Sequence, residues 1–165
     1  MYNIGDAVVY STTGICIIDD IRYESFRDEL EQYYVLRPLL TRESTIFSPV
    51  KNTTAKMRLI STKEELEDAL NVSSTEEWIE NVTTRKERFS SILRSCDLVA
   101  CMGILLSLLE KKHEKEQCNK KMHVSDEMFL CDIEKIVYGE IAYIYSVSLE
   151  QASEVFLSHK SIRGC

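Results

Sequence analysis

Two periodicities divide the chain. Up to about residue 60 the apolar positions come in short runs set off by turn residues; from Ser61 onward they recur at three- and four-residue steps. In the stretch Asn3 to Ile21, Gly5-Asp6 marks a turn, Ala7 to Tyr10 predicts a strand, Ser11 to Gly14 turns again, and Ile15 to Ile18 predicts a second strand. Arg22 to Gln32 is charged around Phe26 and Leu30, which fits either a helical turn or a long hairpin. Tyr33 to Leu36 is aromatic and β-branched and stops at Arg37-Pro38, because proline donates no ladder hydrogen bond and is confined to strand edges and ends. Thr45 to Val50 is the next strand, interrupted at Pro49, and the polar turn Asn52-Thr53-Thr54 separates it from Met57 to Ile60. Five short strands divided by turns predict a small SH3-like or Tudor-like barrel over residues 1–60.

The second pattern predicts helices. Thr62 with Glu65 forms a capping box ahead of Leu66, Ala69 and Leu70; Ser74 with Glu77 forms another ahead of Trp78, Ile79 and Val82, with Phe89, Ile92 and Leu93 further on. One helix or two fit between Thr75 and Arg94. Asp97 caps a helix through Leu98, Cys101, Met102, Leu105, Leu108 and Leu109 that is apolar nearly all round, as the central helix of a bundle would be. Glu110 to Lys121 reads as a helix end plus a polar loop. Ser125 is the expected cap of a helix carrying Phe129, Ile133, Ile136, Val137, Ile141 and Ile144, and Ser148 with Gln151 opens a last one through Leu149, Ala152, Val155 and Phe156, with a frayed end after Ser158. The fold class is therefore α+β: a barrel over residues 1–60, then an all-α bundle over 61–165, with little linker.

Composition narrows the function. At 165 residues and 44% apolar, the chain can bury a core without disulfides or metals. Met1 leads into a polar turn, which predicts no signal peptide, and the longest apolar run, Leu98 to Leu109, falls short of the ~20 residues of a membrane span; a soluble, cytoplasmic protein is expected. Cys16, Cys96, Cys101, Cys118, Cys131 and Cys165 lack regular spacing, lie mostly among apolar neighbours and are read as reduced, buried small hydrophobes. Only Cys96 and Cys101 approach a metal-ligand pair, with His113 and His123 distant, so no metal is expected. The sequence holds no phosphate loop, nucleophile elbow or zinc-protease helix, and Asp19-Asp20, Glu64-Glu65 and Glu76-Glu77 read as solvated or helix-start charges; neither an enzyme nor a cofactor nor a small-molecule ligand is implied. The net charge of −7 excludes general coating of nucleic acid, so any DNA contact must be local.

In spacing and residue type Asn3 to Ile21, Tyr33 to Leu36, Thr45 to Val50 and Met57 to Ile60 resemble the amino-terminal domain of the CarD and CdnL family of bacterial transcription regulators, a domain also found in transcription-repair coupling factor. The resemblance favours the hairpin for Arg22 to Gln32. Weaker matches follow in the second half: Arg85 to Asp97 resembles an Arg-led helix, and Tyr138-Gly139-Glu140-Ile141-Ala142 resembles a Gly-Glu-Leu-Ala signature. The resemblance implies a barrel that binds the RNA polymerase β subunit by strand-to-strand contact, through Thr45, Ile46, Phe47 and Ser48 with Glu24 on a neighbouring strand. It implies a bundle that sets a tryptophan in the minor groove at the upstream edge of the transcription bubble, here Trp78, beside the basic cluster Arg85, Lys86, Arg88 and Arg94. Several positions depart from the family. Glu24, Phe47, Glu127 and Met128 stand where relatives often carry basic residues, and Trp78 comes about four residues early relative to Arg85, with Val82 in its usual place; an insertion of one helical turn would keep the ring on a similar face. The bland readings are Phe47 as barrel core, Trp78 as filler between barrel and bundle, and the basic cluster as a solvated helix face. The expected function is a transcription regulator that stabilises open complex. The alternative is an adaptor whose barrel binds some other protein and whose bundle never meets DNA.

Overall fold

The computed structural model describes residues 1–26, 29–40, 44–51, 57–72 and 76–160. Five strands, β1 (Ala7–Tyr10), β2 (Gly14–Ser25), β3 (Leu30–Pro38), β4 (Ile46–Pro49) and β5 (Met57–Leu59), form one antiparallel sheet in the order β4-β3-β2-β1-β5. The charged stretch after Ile21 is the hairpin: Arg22 lies opposite Tyr33 and Ser25 opposite Leu30, and a register shift between Ile18 and Asp20 bends the pair. The expected turn at Asn52-Thr53-Thr54 lies outside the described residues.

The strands nearest the start are apolar on both faces because both are covered. Val8, Cys16, Ile18, Tyr34 and Leu36 pack together inside the sheet domain. Val9 and Ile15, paired across β1 and β2, point the other way and belong to the core of the helices. Two close approaches hold this junction. Gly14, at φ +85°, puts the hairpin turn where a Cβ would lie 3.0 Å from the Lys135 carbonyl oxygen, and a Cβ on Gly139 would meet Ile15 Cγ1 at 3.4 Å. An unbroken apolar run such as Ile15 to Ile18 fits a strand with no solvent face.

The helices are α1 (Lys63–Asn71), α2 (Val82–Ser95), α3 (Leu98–Gln117), α4 (Val124–Tyr145) and α5 (Leu149–His159). The capping boxes at Thr62/Glu65 and Ser148/Gln151 form with both reciprocal bonds, and Asp97 accepts from the Ala100 N–H as expected. α3 is the central helix, with Cys101 to Leu108 buried without interruption. Two expectations are corrected, the helix start at Ser74 with Glu77 and the cap at Ser125. A single helix, capped by Asn81, occupies the stretch before Arg94; the proposed cap Ser74 lies outside the described residues, and Glu76 to Ile79 is not helical. Glu110 to Lys121 is a helix end plus loop as expected, with α3 continuing as a charged helix to Gln117, since its Glu, Lys and Gln residues are good helix formers. α4 starts one residue after His123, whose ring nitrogen accepts from the Ser125 N–H, so His123 and not Ser125 is its cap.

One ion pair ties sheet to helices. Glu140 on α4 is fully buried; its carboxylate accepts from Arg58 Nη1 (2.8 Å) and Nη2 (2.6 Å) on β5 and from the Ser61 N–H (2.8 Å). Arg58 Nε also donates to the Cys96 carbonyl at the end of α2. Burial alone would lower the Arg58 pKa; the hydrogen bonds and charge of Glu140 reverse this and raise it. The Tyr138 to Ala142 signature thus has a physical role: Gly139 packs beside Ile15 of β2, and Glu140 fastens β5 through Arg58.

Candidate functional site

Two surfaces carry the residues singled out in the sequence. The first is the outer edge of the sheet. β4 pairs only with β3 among the described residues, through Tyr33↔Pro49, Tyr34↔Ser48, Val35↔Phe47 and Leu36↔Ile46. Alternation sends Ile46 toward the sheet core and buries Ser48, whereas Phe47 points to the opposite face. Phe47 is therefore not barrel core. Its ring packs edge-on against exposed Phe26 at 5.1 Å, Phe26 in turn sits edge-on against Tyr33 at 5.1 Å, and Arg22 lies over the Phe47 ring at 5.3 Å. Glu24 shares this face but stands on β2, one strand removed from β4 and not its neighbour, and is paired with Arg22 at 2.8 Å. Thr45 precedes the strand and is exposed. Phe26 carries no periodic signal in the charged hairpin that would mark it as a partner of Phe47.

The second surface surrounds Trp78. This residue lies in the non-helical segment ahead of α2, so the expected one-turn helical insertion does not apply. The segment is pegged from two sides. The Glu76 N–H donates to the Gly103 carbonyl (3.4 Å), the Ser107 hydroxyl donates to the Glu76 carbonyl, and Arg85 Nη1 donates to the carbonyls of Ile79 (2.5 Å) and Glu80 (3.1 Å). Trp78 is half-buried against the helical core, edge-on to Phe89 at 6.4 Å, with the Arg85 guanidinium 4.3 Å and the Lys111 ammonium 5.4 Å from the ring centre. These partners come from α2 and α3, so the ring does not fill the seam between sheet and bundle.

The basic cluster of α2 separates in three dimensions. Arg85 is buried and forms two bonds to buried Asp126 on α4, Nε to Oδ1 at 3.1 Å and Nη2 to Oδ2 at 2.7 Å. Its charge is spent inside the protein, and it positions Trp78. At about 100° per residue, exposed Lys86 and Arg88 fall on opposite flanks of the buried stripe of Arg85, Phe89 and Ile92, with Arg94 on the outward side. Arg88 is further engaged by Glu76 at 3.0 Å. The four residues thus share no face.

Different cations approach Trp78. A groove of about 430 Å³ is walled by Trp78 and lined by Lys111, Lys115, Lys121, His123 and Glu80, with the Arg85–Asp126 pair beneath. The hydrogen bond from Lys111 to Glu114 (2.8 Å) raises the Lys111 pKa and keeps it charged. Periodicity alone hid this grouping, because Lys111 and Lys121 bracket a helix end and loop that only tertiary packing brings beside residue 78. Glu127 and Met128 are exposed on α4 and add no positive charge there.

Among the described residues no cluster of His, Cys, Asp or Glu has the arrangement of a metal site, and no helix is long and apolar enough to cross a membrane. Cys16, Cys96 and Cys101 are buried thiols as expected, but Cys118 and Cys131 are exposed; Cys165 lies outside the described residues. Burial pushes the Cys16 pKa up to about 11 and that of Cys101 to about 12. Residues 2–61, which contain all five strands, match the family described as CarD-like/TRCF RID domain. The resemblance seen in the sequence holds for this domain and supports an RNA polymerase-interacting, transcription-related role. No curated protein matches the chain.

Proposed function

Because residues 2–61 are a CarD-like/TRCF RID domain, we propose that this chain is a non-enzymatic, cytoplasmic transcription regulator whose sheet domain docks on the β subunit of RNA polymerase and whose helical half contacts promoter DNA at the edge of the melted region. The observation that carries the reading is β4. Its outer edge takes no strand among the described residues, and it holds half-buried Phe47 on the face away from the sheet core, beside exposed Phe26. An open edge offers backbone donors and acceptors to an incoming strand, while alternate side chains supply specificity. Thr45, Phe47 and the backbone of Ile46 and Ser48 make this contact, with Phe26 and Arg22 beside it.

The latch between Arg58 and Glu140 gives the two halves one orientation, so docking the sheet domain also places Trp78. Tethering raises the effective concentration of the helical half at the promoter, which suits a chain whose net charge of −7 opposes DNA at a distance. Open complex is favoured to the extent that the bound protein prefers melted over closed DNA. Hydrogen exchange on the full chain with and without RNA polymerase tests the docking. Slowed exchange at the amides of Ile46 to Ser48 is expected; protection elsewhere with β4 unchanged would refute strand addition and favour an adaptor with another partner.

A further inference from the structure

We infer that the hollow between the charged end of α3 and the first turns of α4 binds a nucleoside polyphosphate, with Lys112, Lys115, Lys120 and Lys121 holding its phosphates. The hollow encloses about 370 Å³, within the range of small-ligand sites. The loop joining the two helices is fixed at both ends. Asn119 turns back at φ +51°, the Lys120 N–H donates to the Lys115 carbonyl (2.8 Å), and the His123 ring accepts from the Ser125 N–H. Lys120 and Lys121 are thereby brought to the same hollow as Lys112 and Lys115 of α3. None of these four side chains forms an ion pair or hydrogen bond among the described residues. Such ammonium groups repel one another, and a chain of phosphates offers each a charged acceptor. Behind them the lining turns apolar, with Leu130 buried and Met122 half-buried, which suits the face of a base. Glu134 stands half-buried on the same wall with no hydrogen bond or ion pair among the described residues; burial raises its pKa and the Lys112 charge opposes the rise. Its carboxylate accepts from the exocyclic amino group of the base. Glu116 and Glu127 are exposed at the rim, where water and salt screen their repulsion of phosphate. The site needs neither polymerase nor DNA, so its failure would leave the reading above in place.

Exposed Cys131 lines the hollow and serves as its reporter, with exposed Cys118, outside the lining, as the internal control. The experiment follows alkylation of both thiols in the full chain by mass spectrometry, in magnesium-free buffer with ATP, inosine triphosphate, inorganic tripolyphosphate or a short single-stranded oligonucleotide. ATP should protect Cys131 saturably, with half-protection below about 1 mM, and leave Cys118 unchanged. At ten times the half-protecting concentration the Cys131 rate should fall about tenfold. Tripolyphosphate, which lacks the base, and inosine triphosphate, which sets a carbonyl against Glu134, should each need about tenfold more. The variant K112Q/K120Q, changed at two exposed lysines that line this hollow and not the groove beside Trp78, should raise the half-protecting concentration of ATP about tenfold. K86Q/R94Q, with the same loss of charge, should not. No protection by ATP, or equal weakening in both variants, would overturn the site. Equal protection by tripolyphosphate and ATP would overturn the nucleoside, and protection by the oligonucleotide alone would assign the hollow to a nucleic acid and overturn the small ligand.

Discussion

Replacing Arg58 by Met strips the counterion from a carboxylate with no solvent exposure, whereas replacing Glu140 by Gln strands a guanidinium that keeps 25% of its side chain in water. Removing one member of a buried pair costs about 3–5 kcal/mol. Arg58→Met should lie in the middle of that range, at about 4 kcal/mol, because Glu140 retains only the Ser61 N–H among its three bonds. Glu140→Gln should cost about 2 kcal/mol, since Arg58 keeps its bonds to the Cys96 and Leu59 carbonyls and rehydrates at its open side. The double variant buries no charge, so it should be about 2 kcal/mol more stable than the sum of the single losses. Urea unfolding followed by far-ultraviolet circular dichroism and by Trp78 fluorescence measures all three. Equal single losses, or an additive double variant, would refute the claim that this pair fastens the sheet to the helices.

Gly14→Ala should cost about 2 kcal/mol in the same assay, because φ +85° is strained for any side chain and the new Cβ meets the Lys135 carbonyl at 3.0 Å; a loss under half that would mean the hairpin turn shifts freely. Arg85→Met leaves Asp126 charged and buried, so a loss of about 3–5 kcal/mol with a red-shifted Trp78 emission is expected, and an unchanged emission would show that Arg85 does not position the ring. At pH 8, alkylation mapped by mass spectrometry should reach Cys118 and Cys131 quickly, while buried Cys16 and Cys101, whose pKa values are raised to about 11 and about 12, stay thiols and react slowly; raising the pH toward 10 should narrow the gap, and equal rates at pH 8 would contradict the placement.

Much of this architecture was legible because local signals and tertiary structure agree. The capping boxes at Thr62 and Ser148 fix helix starts through bonds within four residues, and proline at 38 and 49 ends strands for a reason internal to the residue. What stayed hidden depends on distant contacts. The unbroken runs Ala7 to Val9 and Ile15 to Ile18 carried a readable sign of burial on both faces, yet nothing local says that the second face meets α4. Glu140 reads as one more helix carboxylate until Arg58 arrives across the sheet, and Arg85 reads as a surface cation until Asp126, on another helix, encloses it. Basic residues adjacent in sequence therefore diverge around α2, while Lys111 and Lys121, ten positions apart, converge on Trp78.

The shared core also decides how the docking claim must be tested: residues 1–60 alone would expose Val9 and Ile15 and leave Arg58 without Glu140. The most direct measurement is the affinity of the full chain for purified RNA polymerase and for its β subunit, compared with that of Phe47→Ala, after circular dichroism has shown both chains equally folded. Saturable binding to both targets, weakened about tenfold by losing an aromatic anchor of more than 1 kcal/mol, is the predicted result; no binding to polymerase by the folded natural chain, or identical binding by Phe47→Ala, would contradict docking through β4.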